Sequence, residues 1–125
     1  MEPASLDGMP GNVLIVEDDP IIALDFEDTI LGFGVKAVRT AGNVANALQM
    51  IADQAPDFAL LDVGLVHEKS FAVAERLQAL NIPFAFVTGY GADARLPAAL
   101  AGKPRLPKPY STDALLVLLN PHARS

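Results

Sequence analysis

Three short apolar runs constrain this chain more than anything else in it: Val13-Leu14-Ile15-Val16, Phe58-Ala59-Leu60-Leu61 and Phe84-Ala85-Phe86-Val87. Each is almost continuously apolar rather than alternating, the pattern of a strand covered on both faces, and helical stretches separate them. Such strands run parallel, so the residues just after each one collect at the same end of the sheet. Those residues are polar: Glu17-Asp18-Asp19, then Asp62, then Thr88-Gly89. A weaker run, Leu106-Pro107, leads in the same way into Lys108-Pro109.

The connections supply the helices. Asn12 to Val16 reads as a first strand, and Asp19-Pro20 as a helix start with Asp as the cap and Pro at the first helical position. Ile21, Leu24, Phe26, Ile30 and Leu31 are spaced as a helix that Gly32 and Gly34 stop. Val35 to Arg39 is a mixed strand suited to a position near the sheet edge. Asn43 caps a helix to about Gln54, and Asp57 to Leu61 is the third strand. A loop over residues 64–69 leads to a helix carrying Phe71, Val73, Ala74, Leu77 and Leu80. Pro83 to Val87 is the fourth strand. Residues 89–102, with Gly91 and Pro97, support at most a short or broken helix, because an interior Pro removes a donor and crowds the preceding turn. Lys103 to Pro107 is a proline-bearing strand, hence an edge. Ser111 or Thr112 caps a last helix to about Leu119. The β-α alternation requires a parallel sheet with right-handed crossovers and helices on both faces.

At 125 residues this is one domain with room for a real core. Residues 1–11, rich in Pro and Gly, read as a flexible arm, 12–120 as the folded domain and 121–125 as a tail. The arm has neither a basic nor an apolar segment and is no signal peptide. Apolar content is 51%, yet no apolar stretch approaches a membrane span. With no cysteine, disulfides and thiolate metal sites are excluded, and a cytoplasmic setting is expected. A net charge of -6 argues against a nucleic-acid partner, and nothing suggests a membrane one.

Each polar residue has a bland explanation when taken alone. Asp19 is a helix cap, Glu17 and Asp18 a solvated strand end, Thr88 a β-branched strand end, and Asp62 a turn cap. Together they describe a site for a divalent metal and a phosphoryl group. A carboxylate such as Asp62 is a nucleophile toward phosphorus. Phosphoryl transfer needs chiefly positioning and charge neutralisation. Carboxylates from Glu17, Asp18 and Asp62, with a backbone carbonyl near Gly64, suit Mg²⁺, which takes oxygen ligands. Lys108 is a point charge for Asp62 or the phosphate, and Thr88 offers a hydroxyl. His67 lies in the loop after Asp62 and reads as solvated.

In combination, Val16-Glu17-Asp18-Asp19-Pro20, Leu60-Leu61-Asp62, Thr88-Gly89 and Lys108-Pro109-Tyr110 resemble the CheY-like receiver domain of two-component response regulators, over about Gly11 to Leu119. The resemblance implies a flavodoxin-like (βα)5 doubly wound sheet in the order 2-1-3-4-5, with the site at the switch point between strands 1 and 3. It further implies Asp62 as phosphoacceptor, Glu17 and Asp18 as the acid pocket for Mg²⁺, Thr88 as the phosphate-sensing hydroxyl and Lys108 as the partner cation. A cis Lys108-Pro109 bond is common in the family. Two features depart from the usual pattern. Arg105 stands where receivers carry a switch aromatic, three residues before the lysine. Phe86-Val87-Thr88-Gly89-Tyr90 is similar to the Phe-Ala-Thr-Gly-Tyr signature of an alphaproteobacterial subgroup that lacks that aromatic, with Val87 in place of Ala.

The function expected is therefore that of a stand-alone response regulator, not an enzyme in the ordinary sense. It would take phosphate from a histidine kinase or histidine phosphotransfer protein and act through a downstream protein. A phosphate sink or shuttle, or the receiver of a hybrid kinase, would look similar. An aspartyl phosphohydrolase usually has an acid two residues after the nucleophile, where this chain has Gly64; a receiver that works without phosphorylation would not need the full set of acids, Thr and Lys. By the same resemblance, Gly64 and Tyr90 would flank the path of attacking water, and slow dephosphorylation is expected. Leu115 to Leu119 makes the last helix apolar nearly all round, so it is either deeply buried or a surface for partner binding or homodimerisation.

Overall fold

The structure is a computed structural model and describes residues 9–63, 70–88, 100, 102–107 and 110–119. Its elements run β1 (Asn12–Val16), α1 (Pro20–Gly32), β2 (Ala37–Ala41), α2 (Val44–Asp53), β3 (Phe58–Asp62), α3 (Phe71–Ala79), β4 (Phe84–Thr88), β5 (Arg105–Pro107) and α4 (Thr112–Leu119). The strands form one sheet in the order β2-β1-β3-β4-β5, and every pairing is parallel. This is the flavodoxin-like order. The segment expected to hold a short or broken helix lies largely outside the described residues.

Alternation along the strands divides the core into two. Leu14, Val16, Ala59, Leu61, Phe84 and Phe86 pack with Ala47 and Ile51 of α2 and with Val73, Ala74 and Leu77 of α3. Val13, Ile15, Phe58, Leu60, Ala85 and Val87 pack with Phe26 and Ile30 of α1 and with Leu115 and Leu119 of α4. Two covered faces are why these strands read as unbroken apolar runs. All five residues of β3 and of β4 are buried. Among the described residues, no helix is long and apolar enough to cross a membrane.

Local chemistry sets the element ends. Asp19 caps α1, its Oδ1 accepting from the N–H groups of Ile21 (2.9 Å) and Ile22 (3.3 Å), with Pro20 at the first helical position. Asn43 caps α2 through the Asn46 N–H at 2.8 Å. Arg39 on β2 spans three elements: Nε donates to Asn12 Oδ1, and the two terminal nitrogens donate to the carbonyls of Met50 (3.1 Å) and Gln54 (2.6 Å) at the end of α2. Of the two candidates for the α4 cap it is Ser111 whose Oγ accepts from the Ala114 N–H, at 3.0 Å.

Several details differ from the expectations raised by the sequence, among them β5, which starts at Arg105 rather than Lys103, and β3, which runs one residue further and includes Asp62. β2 begins two residues later, because the ladder starts where the Ala37 N–H donates to the Gly11 carbonyl at 3.0 Å. Val35, whose apolar side chain suggested strand, is instead buried in the turn leading into it, next to Gly34 at φ 100°. The buried stripe of α1 is Ala23, Phe26 and Ile30, spaced i, i+3, i+7, whereas Ile21 is 78% and Leu24 55% exposed. In α4, Leu115 and Leu119 are buried and Leu116, Val117 and Leu118 are half-buried, so the all-round apolar helix is neither wholly covered nor freely exposed.

Candidate functional site

The register brings the acids together. Val16 of β1 lies opposite Leu61 of β3, so the next residues, Glu17 and Asp62, leave neighbouring strands side by side. Asp62 lies opposite Val87, and Thr88 comes one step beyond. Thr88 in turn lies opposite Pro107, the residue before Lys108. The polar residues thus sit at the carboxyl end of the sheet where strand order reverses between β1 and β3, the usual ligand position in an open α/β sheet.

One carboxylate oxygen from each of Glu17, Asp18 and Asp62 lies within 4.8 Å of the others. Opposite ligands of a six-coordinate Mg²⁺ are about 4.2 Å apart, so a cluster of this width fits direct ligation, or ligation with one contact through water. Glu17, Asp62 and Thr88 are all buried, at 4%, 6% and 5% exposure, and Asp18 is half-buried. Burying carboxylates among apolar strands is costly unless they are compensated by partners or a cation. Part of that compensation is local: Glu17 Oε2 accepts the Asp19 N–H at 3.1 Å, and the Glu17 N–H donates to the Ala41 carbonyl at 3.0 Å. Asp19 itself is outside the cluster, exposed and occupied as the cap of α1.

Of the residues picked out by sequence, Glu17, Asp18, Asp62 and Thr88 are therefore placed at one end of the sheet. Gly64, His67, Gly89, Tyr90, Lys108 and Pro109 lie outside the described residues. Arg105, at the position of the usual switch aromatic, opens β5 and is exposed.

A further group went unassigned in the sequence. Tyr110 stacks on Phe26 of α1, with ring centroids 4.5 Å apart and planes 14° from parallel. Its hydroxyl donates to Asp25 Oδ2 at 2.6 Å and lies 3.2 Å from Thr29 Oγ1. Burial, and then the hydrogen bond to Asp25, push the phenol above its ordinary pKa. The available signal was an aromatic directly after Lys-Pro, together with an acid and a hydroxyl four residues apart on the first helix.

A doubly covered parallel sheet with a buried carboxylate cluster at its switch point has the architecture expected of a receiver domain. The model of the response regulator receiver domain matches residues 13–120, and the chain belongs to that family. Members act in two-component signalling, generally bind Mg²⁺ at an acidic pocket and interact with histidine kinases or phosphotransfer proteins. The solution structure of SdrG from Sphingomonas melonis is similar, with 38% identity and a TM-score of 0.76 over 94% of this chain and 98% of that one. PhyR from Bartonella quintana, described as an anti-anti-sigma factor, gives 30% identity and a TM-score of 0.72 over 86% of this chain and 44% of that one. By sequence, the phyllosphere-induced regulator PhyR of Methylorubrum extorquens is 31% identical over 66% of this chain and 32% of its own length. The sensory transduction protein LytT of Enterococcus faecalis is 31% identical over 83% and 44%. The chain spans about a third to a half of those two curated relatives.

Proposed function

We propose that this receiver accepts a phosphoryl group on Asp62 from a phosphohistidine of a histidine kinase or histidine phosphotransfer protein, and signals by changing its affinity for a protein partner. The observation that carries the reading is the buried cluster of Glu17, Asp18 and Asp62 within 4.8 Å at the end of β1 and β3. Asp62 is the nucleophile because it ends a fully buried central strand. Its carboxylate oxygen forms the new O–P bond as the donor's P–N bond breaks, and the imidazole leaves with that electron pair and takes up a proton. Glu17, Asp18 and Asp62, with the Gly64 carbonyl, would hold Mg²⁺, which would neutralise charge on the phosphoryl oxygens. Thr88 donates its hydroxyl to a phosphoryl oxygen, and Lys108 supplies a compensating cation.

Membership of the Phe-Ala-Thr-Gly-Tyr subgroup belongs to the same reading. Its support is the segment Phe86-Val87-Thr88-Gly89-Tyr90 and an exposed Arg105 in place of a switch aromatic. The description of the Bartonella protein as an anti-anti-sigma factor favours output through a protein partner.

Incubation with acetyl phosphate and Mg²⁺ tests the central claim. We expect labelling of the wild type, loss of labelling on chelation with EDTA, and none in Asp62→Asn. Persistent labelling of Asp62→Asn would place the nucleophile elsewhere and reject the assignment.

A further inference from the structure

Three of the four described helices are capped by the side chain of the residue before them: Asp19, Asn43 and Ser111 each accept a backbone N–H of the first turn. The fourth, α3, is preceded by Ser70, which has the residue type of a cap but not its geometry. Its φ is -83° and ψ 13°, and the side chain makes no capping bond. Ser70 is 0% exposed, and its Oγ has no hydrogen-bond partner among the described residues. A buried hydroxyl without a partner is costly, and in a native fold it asks for an explanation. The place of Ser70 in the fold offers one. Phe71, the next residue, meets Phe86 of β4 edge-on, with ring centroids 6.2 Å apart. Side chains alternate along a strand, so Thr88 points to the same face as Phe86, the face that α3 covers, and lies one pleat nearer the acid cluster. Ser70 likewise lies on the site side of Phe71, because α3 enters from the carboxyl end of β3. Two buried hydroxyls, those of Ser70 and Thr88, therefore share one face and one end of the sheet.

We infer that Ser70 is a positioning residue for Thr88: when the Thr88 hydroxyl donates to a phosphoryl oxygen, the Ser70 O–H donates to Thr88 Oγ1 behind it. A threonine hydroxyl carries one proton and two acceptor lone pairs, so giving its proton to the phosphoryl group leaves it able to accept. Ser70 has one proton to give, and the cost of its unpaired hydroxyl is relieved when that bond forms. Hydrogen bonds in such a chain polarise one another, so a Thr88 oxygen that accepts a proton donates its own more strongly. The bond to the phosphoryl oxygen gains most, because it is charge-assisted. Packing alone does not account for Ser70, since alanine would fill nearly the same space without leaving a polar atom unpaired. A buried water held at Oγ is the rival explanation, and the two separate on the stability of the ligand-free protein. The inference rests on Asp62 being the phosphoacceptor, with Thr88 as the hydroxyl that meets the phosphoryl group.

The test is a mutant cycle on the full chain, with beryllofluoride as the probe of the phosphoryl site and Mg²⁺ alone as the probe of the acid cluster. Without ligand, Ser70→Ala should melt at or above the wild-type temperature, because it removes an unpaired polar atom. It should bind Mg²⁺ as the wild type does, yet weaken beryllofluoride binding roughly three- to tenfold. In a Thr88→Val background, which keeps the shape of the side chain and loses its hydroxyl, Ser70→Ala should weaken beryllofluoride binding no further. Equal beryllofluoride affinity in wild type and Ser70→Ala would overturn the inference. So would a parallel loss of Mg²⁺ affinity, or full additivity with Thr88→Val, since each describes a merely structural serine. A clear drop in the melting temperature of ligand-free Ser70→Ala would overturn it too, because the hydroxyl would then be bonded already, as to a buried water. The phosphoacceptor reading fails separately: in that case the wild type itself neither labels with acetyl phosphate nor binds beryllofluoride differently from Asp62→Asn, and this inference falls with it.

Discussion

The two sides of the site are built very differently. The acids stand on β1 and β3, central strands paired on both sides and covered on both faces, with β4 equally buried. The far side depends on β5, a three-residue edge strand whose outer residues, Arg105 and Pro107, are exposed. A carboxylate cluster needs fixed geometry to bind a small octahedral cation, and interior strands supply it. An element that must respond to phosphorylation is better placed where few contacts hold it, since segments that open easily come from the weakly packed end of a structure. Rigid on one side and lightly tethered on the other, the site has the makings of a switch.

The largest expected effect that sharpens this comparison is in the core beneath the acids. Phe86 is fully buried and meets Phe71 and Phe84 edge-on, at 6.2 and 5.7 Å between ring centroids. Phe86→Ala should cost about 3–5 kcal/mol in a urea melt, the usual range for a large aromatic removed from a core. A loss below about 1 kcal/mol would mean the central strands are far less tightly packed than their burial indicates.

The same contrast explains what could be read from the amino-acid order. The central strands and the acids were legible because burial on two faces leaves an unbroken apolar run that a lone Asp62 visibly ends. The caps at Asp19 and Asn43 were legible because their chemistry is local. The start of β2 was not, since Val35 is apolar for reasons of burial and only the pairing with β1 sets the strand's first residue at Ala37. Nor was the phase of α1: the large side chains of Ile21 and Leu24 suggested the buried stripe, and small Ala23 holds the place instead. The contacts of Tyr110 with α1 were invisible for another reason. They join residues 81 and 85 positions apart through hydrogen bonds that no local pattern announces.

A smaller effect should appear on the lightly tethered side at high pH. The folded state raises the Tyr110 phenol above its ordinary pKa of 10.0, through burial first and the Asp25 bond second. A raised acid binds its proton more tightly when folded, so unfolding releases protons and stability falls as pH rises. The contribution is complete below about pH 10 and is lost as pH climbs from there through the folded value. Thermal melts at pH 8 and pH 11 should show the advantage of wild type over Tyr110→Phe shrinking toward zero at the higher pH. Its starting size is about 1 kcal/mol, that of a typical hydrogen bond. An advantage that stays constant across the range would mean the hydroxyl is not what holds Tyr110 to α1.

The smallest effect is expected at Arg105, and it probes the comparison most directly. In a receiver with a switch aromatic this position would carry a large ring. Here it carries an exposed cation at the rim of an open groove that Asp113, Val117 and Leu118 of α4 also line. An exposed charge in such a place contributes about 0–1 kcal/mol through its pairings. Arg105→Ala should therefore shift stability by less than about 0.5 kcal/mol, as surface substitutions usually do. It should leave acetyl phosphate labelling of Asp62 intact, because the acids are held by other strands. If Arg105→Ala instead slowed labelling several-fold, the edge strand would be part of the phosphorylation machinery, and the division between a rigid acid side and a lightly held responding side would collapse.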